Sequence, residues 1–164
     1  MLLQDRHENM LFGSDPVEID EPVHLMSYQE NWKEVYESEK KLLISVFSDQ
    51  AIGFEHIGST SIEGMIAKPI IDILIGLRSL DIGNDLEKKL NDLGYEGFGE
   101  AGVPGRLYYR KRKINNINLQ ITKWKSVLWE ENILFRDYLR SHPEDANKYA
   151  EMKLIILNMK SECE

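Results

Sequence analysis

Cysteine is nearly absent: the only one of 164 residues is Cys163, one position from the end. That excludes an internal disulfide framework and any metal site built on paired cysteines. Long apolar runs are missing too, since none approaches the roughly 20 residues a membrane-spanning helix needs. The start, Met1 to Met10, alternates apolar and charged residues and lacks the apolar stretch of a signal peptide. Both absences lead us to expect a cytoplasmic protein. Positive charge is in the minority, with 20 basic against 28 acidic residues and a net charge of −8. A summed field of that sign repels nucleic acid and anionic membranes, so neither is an expected partner. What remains is ordinary for a globular chain, 42% hydrophobic and 29% charged, long enough to bury one sizeable core.

The segment Gln4 to Pro22 is polar and acidic, broken by Gly13, Ser14, Pro16 and Pro22. Residues 1–22 therefore read as an arm, and 23–164 as a single domain. Val23 to Met26 fits a short strand. Ser27, with Glu30 three positions on, fits a capping box for a helix whose apolar stripe is Trp32, Val35, Tyr36, Leu42, Leu43, Val46 and Phe47. Phe54 to Ile57 reads as a strand. Gly58-Ser59-Thr60-Ser61 then suits the start of a short helix reaching about Ala67, ended by Pro69. Ile70 to Leu77 is an apolar, central-strand run carrying one acid, Asp72. A helix bearing Ile82, Leu86, Leu90 and Leu93 stops at Gly94. A glycine-rich loop follows to Gly105. Next comes a hairpin, Arg106 to Arg112 and Ile117 to Thr122, whose second arm sends Asn118, Gln120 and Thr122 to one face. Helices from Ser126 to Arg140 and from Pro143 onward close the chain, the second carrying Ala146, Tyr149, Leu154 and Leu157. This order implies a mixed sheet packed by helices, with a helical C-terminal segment.

Chemistry concentrates at Gly58-Ser59 and Asp72. Backbone N–H groups and hydroxyls at a helix N-terminus suit phosphate. A strand carboxylate beside them is a ligand type that Mg²⁺ accepts. The plainer alternative is a capped helix and one buried acid. His56 is either a proton-transfer group near neutral pH or a structural histidine beside a tight turn. Lys68 either neutralises phosphate or pairs with a nearby acid. The one basic cluster, Arg106 with Arg110 to Lys113, is interleaved with Tyr108 and Tyr109. Arg112 and Lys113 are expected to be solvated hairpin residues.

Glu55-His56-Ile57-Gly58-Ser59-Thr60-Ser61, followed by Ala67-Lys68-Pro69-Ile70-Ile71-Asp72-Ile73, resembles the signature of the GrpB family. Three further stretches resemble it: Tyr28 to Trp32, the loop Gly99 to Arg106, and Leu134 to Arg140 with His142-Pro143-Glu144 and Tyr149. The likeness runs from about Val23 to Lys153. It implies the α/β (α+β) fold of the nucleotidyltransferase superfamily, whose Gly-Ser motif and strand carboxylates imply nucleotide and Mg²⁺ binding. Carried over residue by residue, Asp72 becomes the catalytic acid and metal ligand, and Gly58, Ser59, Thr60, Lys68 and Arg106 become phosphate contacts.

The chain departs from that pattern where the metal would be held. The superfamily's second acid falls at Leu74, and the expected later-strand acid falls at Asn118 or Gln120. Phosphoryl transfer on two metals needs several anionic ligands. Two readings follow: an enzyme transferring a nucleotidyl group with Mg²⁺, or a module that binds a nucleotide, phosphorylated small molecule or protein partner without turnover. On either, Asp72 is expected to face a solvent-reachable cleft, with Ile71 and Ile73 on the opposite, buried face.

Overall fold

In a computed structural model, residues 24–161 are described. The acidic arm of residues 1–22, Val23 and Cys163 lie outside them. Among the described residues no helix is long and apolar enough to cross a membrane.

The sheet grows outward from the most apolar segment. Strand β2 (Ile71–Leu77) is buried at every position, as expected of a strand covered on both faces. It pairs antiparallel with β1 (Ala51–Ile57), where Ile57 faces Asp72 across the ladder. It pairs in parallel with β5 (Ile117–Lys123), which sets Asp72 beside Asn118 and Leu74 beside Gln120. β5 closes the predicted hairpin with β4 (Arg106–Lys111), and the two-residue β3 (Glu96–Gly97) forms the edge. The strand order is β1-β2-β5-β4-β3, a five-stranded mixed sheet.

Strand alternation divides the sheet into two unlike faces. One carries Ile71, Ile73, Ile75, Ile117, Leu119 and Ile121. It is closed by α1 (Asn31–Phe47) and α2 (Gly83–Asp92), which bring Trp32, Leu43, Phe47, Leu86 and Leu90. The other carries Asp72, Leu74, Asn118 and Gln120. Over it lie α3 (Val127–Ser141) and α4 (Pro143–Ser161). Gly53 and Gly76, paired neighbours on this face, leave room that a side chain would fill, and the Trp124 and Trp129 rings lie against them. Those rings stand 4.6 Å apart at 57°.

Several boundaries differ from the sequence reading. The Val23–Met26 strand shrinks to one bridge, Met26 with Ala67. Ser27 does not cap α1. Its N-cap is Glu30, which makes no side-chain cap bond, and Gln29 donates its amide to the Ser27 carbonyl instead. The helix expected after Gly58 is a single 3₁₀ turn, Ser59–Ser61. Ser126, Gly94 and Pro143 mark helix ends as the sequence indicates. Ser126 Oγ accepts from the Trp129 N–H, and Gly94 takes φ 95° just past α2.

Candidate functional site

The β1–β2 ladder delivers the Gly58 turn directly over Asp72. Gly58 has φ 73°, and a Cβ there would run into the Asp72 carboxylate, so both the conformation and the close approach require glycine. The turn is tied by Ser61 N–H to the Gly58 carbonyl and Ile62 N–H to that of Ser59. Thr60 is withdrawn from the site, its hydroxyl hydrogen-bonded to His56 Nε2 at 2.9 Å. Gly58 and Ser59 stay half-buried and reachable.

Asp72 does not face an open cleft. It is 7% exposed, while Ile71 and Ile73 do point into the opposite, apolar face. Its Oδ1 accepts from Asn118 Nδ2 at 3.1 Å, and Asn118 Oδ1 in turn accepts from Arg112 at 2.8 Å. Burial pushes the carboxyl up to about 6. The Asn118 hydrogen bond and the charges of Lys153, Arg112 and Lys68 pull the other way.

The cover is α4. Lys153 is only 6% exposed, donates to the Ser59 hydroxyl and lies 4.6 Å over the Tyr149 ring. Burial lowers its ammonium to about 8 against the opposing pull of Asp72, with Lys68 lowering it further. The sequence reading missed this residue because a lysine on a helix is normally taken to face solvent. A signal was present: Ala146 and Tyr149 begin an apolar stripe whose next position, by helical spacing, is 153.

Other candidates lie elsewhere or have other tasks. His56 alternates to the α1 face, stacked 4.8 Å from Tyr36, and burial with nearby Arg140 and Arg136 lowers it to about 3. It is therefore neutral at physiological pH, as a structural histidine is. Glu55, on the Asp72 face, is held by Arg136 Nη1 at 2.6 Å. Arg106 is 2% exposed and donates to the Glu100 and Ala101 carbonyls and to Gln120, holding the glycine-rich loop. It pairs with Thr122, four residues along β5 from Asn118, which at about 3.3 Å per residue is some 13 Å from the Asp72 level. Arg112, expected to be solvated, is the hairpin cation that reaches the site. Leu74 is fully buried and packs with Ile57 and Trp129, so the place of a second acid is filled by core.

This donor set does not fit a protein-held Mg²⁺. Beside Asp72 stand a leucine, two amides and an ammonium, and the other carboxylate of this face, Glu55, is tied to Arg136, whereas Mg²⁺ requires oxygen ligands in octahedral array. Among the described residues no three His, Cys, Asp or Glu side chains gather as a metal site.

Comparison with known proteins agrees with the motif resemblance. The family model described as GrpB protein matches residues 22–162. UPF0157 protein YqkA of Bacillus subtilis (strain 168) is 39% identical over 134 residues, which is 80% of this chain and 38% of that protein. Glutamate-rich protein GrpB of Alkalihalophilus pseudofirmus is 34% identical over 137 residues, 80% of this chain and 79% of that protein. This chain thus spans well under half of the Bacillus relative and most of the Alkalihalophilus one. The crystal structure of conserved protein GrpB from Enterococcus faecalis superposes with a TM-score of 0.77 at 32% identity, covering 83% of this chain and 84% of that one. With the match running from residue 22 to 162 and the same architecture in a solved relative, the chain belongs to the GrpB family.

Proposed function

We propose that this protein binds a phosphorylated small molecule, a nucleotide foremost, at the Gly58–Ser59 turn beside Asp72. One observation carries the reading: the buried Lys153 ammonium and the half-buried Ser59 hydroxyl meet over Asp72, where the charges of Arg112 and Lys68 are also felt. Three cations around one carboxylate leave a local positive excess in an acidic protein, and a partly desolvated excess of that kind attracts a phosphate. Binding without turnover is the version we favour over nucleotidyl transfer. Leu74, sealed beneath Trp129, supports it, because the other carboxylate of this face, Glu55, is held by Arg136, and Asp72 is left without the several anionic partners that two-metal transfer needs.

The test is a thermal-shift panel of nucleotides and phosphorylated metabolites, run with and without Mg²⁺. A stabilising hit that is lost in Lys153→Met supports the reading, since a ligand that binds only the folded state raises the midpoint by mass action. No shift from any phosphorylated compound overturns it. Consumption of a labelled nucleotide by the purified chain restores the transferase reading.

A further inference from the structure

Building on the phosphate-binding reading, we infer that the Lys153 ammonium replaces a divalent cation as the counter-charge of the ligand, so that binding is independent of magnesium. The site has the charge balance of an anion receptor. Asp72 contributes one negative charge, while Lys153, Arg112 and Lys68 all act on it electrostatically. A hard cation entering here meets a single carboxylate, one oxygen of which already accepts from Asn118, and a buried ammonium at close quarters. That repulsion acts in a site largely removed from water, where screening is weak.

A phosphate meets the opposite situation. Lys153 has three N–H donors, and Ser59 takes one of them. Because the Ser59 oxygen accepts from the lysine, its own O–H remains able to donate outward. The half-buried turn therefore offers a hydroxyl donor and an ammonium side by side, and hydrogen bonds to a charged group are the strong kind. The Tyr149 ring beneath the ammonium holds the lysine stem in one orientation, so little flexibility is lost when the ligand arrives. Asp72 acts here as an orienting group. Its Oδ2 is turned toward the Gly58 turn, and it holds the Lys153 charge in place until a ligand takes over.

The deciding experiment is calorimetric titration of the full chain with inorganic pyrophosphate and with ATP, in EDTA and in excess MgCl₂. Wild type, Lys153→Met, Lys153→Arg and Asp72→Asn are compared, each first shown to unfold cooperatively. We expect binding in EDTA at least as tight as in magnesium. Loss of the buried charge in Lys153→Met should weaken it roughly tenfold or more. Lys153→Arg should recover part of the loss, and Asp72→Asn, which removes the negative charge competing with the ligand for Lys153, should tighten binding. Binding that appears only with magnesium, survives Lys153→Met and is abolished by Asp72→Asn overturns the inference while leaving the phosphate reading intact. Absence of binding by either compound in both buffers overturns the phosphate reading and this inference with it.

Discussion

Ile73 and Asp72 are consecutive residues of one strand, both shielded from water, yet they meet unlike company. Ile73 enters a face where Leu43, Phe47, Leu90, Leu119 and Ile121 fill the space, and its burial is favourable throughout. Asp72 enters a face where burial opposes its charge, and the same holds for Lys153 above it. The first face holds the fold together. The second keeps ionisable groups in a place that costs stability, as binding sites commonly do.

That contrast is sharpest in mutants. Ile73→Ala should destabilise by about 2–5 kcal/mol, the usual range for truncating a fully buried aliphatic side chain. Denaturant unfolding measures it, and a loss under about 1 kcal/mol would show that α1 does not close this face tightly.

His56 tests the apolar side through pH. Its folded pKa, about 3, lies below the ordinary value of 6.5, so it contributes stability above pH 6.5 that is lost as pH falls toward 3. Across that window the loss amounts to about 3 kcal/mol or more, since a tenfold difference in proton affinity is worth about 1.4 kcal/mol. Unfolding profiles of His56→Gln should be flatter there than those of wild type; parallel profiles would place the acid sensitivity on another group.

Asp72 has the opposite sign. Its folded pKa is raised to about 6 from 3.8, so its contribution is most favourable below pH 3.8 and is lost as pH rises through 6. Asp72→Asn should therefore gain about 1–3 kcal/mol at pH 7 and nothing at pH 3, with the gain developing between them. A variant less stable than wild type at pH 7 means that the cations around Asp72 outweigh its burial.

Lys153→Met should give the smallest change, a gain of about 1–2 kcal/mol at neutral pH, because removing the ammonium also deprives Asp72 of a counter-charge. Its folded pKa near 8 is below the ordinary 10.5, so wild type recovers that stability as pH rises past 8 toward 10.5 and the variant's advantage fades. A Lys153→Met protein that melts earlier than wild type would make the lysine a structural pin.

Much of the fold is legible in the sequence because strand alternation and helical stripes are strong signals. β2, β5, the hairpin and the three marked helix ends follow from residues such as Asp72 in its apolar run, Ser126 and Gly94. The site is legible only in outline. Gly58 and Asp72 can be picked out, because glycine and a lone strand acid stand apart from their neighbours. The helix expected after Gly58 stops after one turn at Ser59–Ser61: Gly64 takes φ 79° and Ala67 is drawn into the bridge with Met26. Leu74 shows that an acid is missing, but its place under Trp129 depends on a contact between distant segments. Lys153 is hidden for the same reason: its partner, Ser59, lies 94 positions earlier.

The tryptophan pair against Gly53 and Gly76 has an optical consequence. Two indoles 4.6 Å apart and inclined at 57° have transition dipoles close enough, and skewed enough, to couple. Such a pair adds a bisignate band to the circular dichroism spectrum, arising from these two rings rather than from the backbone. Trp32 belongs to the other face and takes no part. Any event that lifts α3 from the sheet separates Trp129 from Trp124 and extinguishes the band, even if every helix stays folded. The protein thus contains a label-free signal for the packing of its polar face.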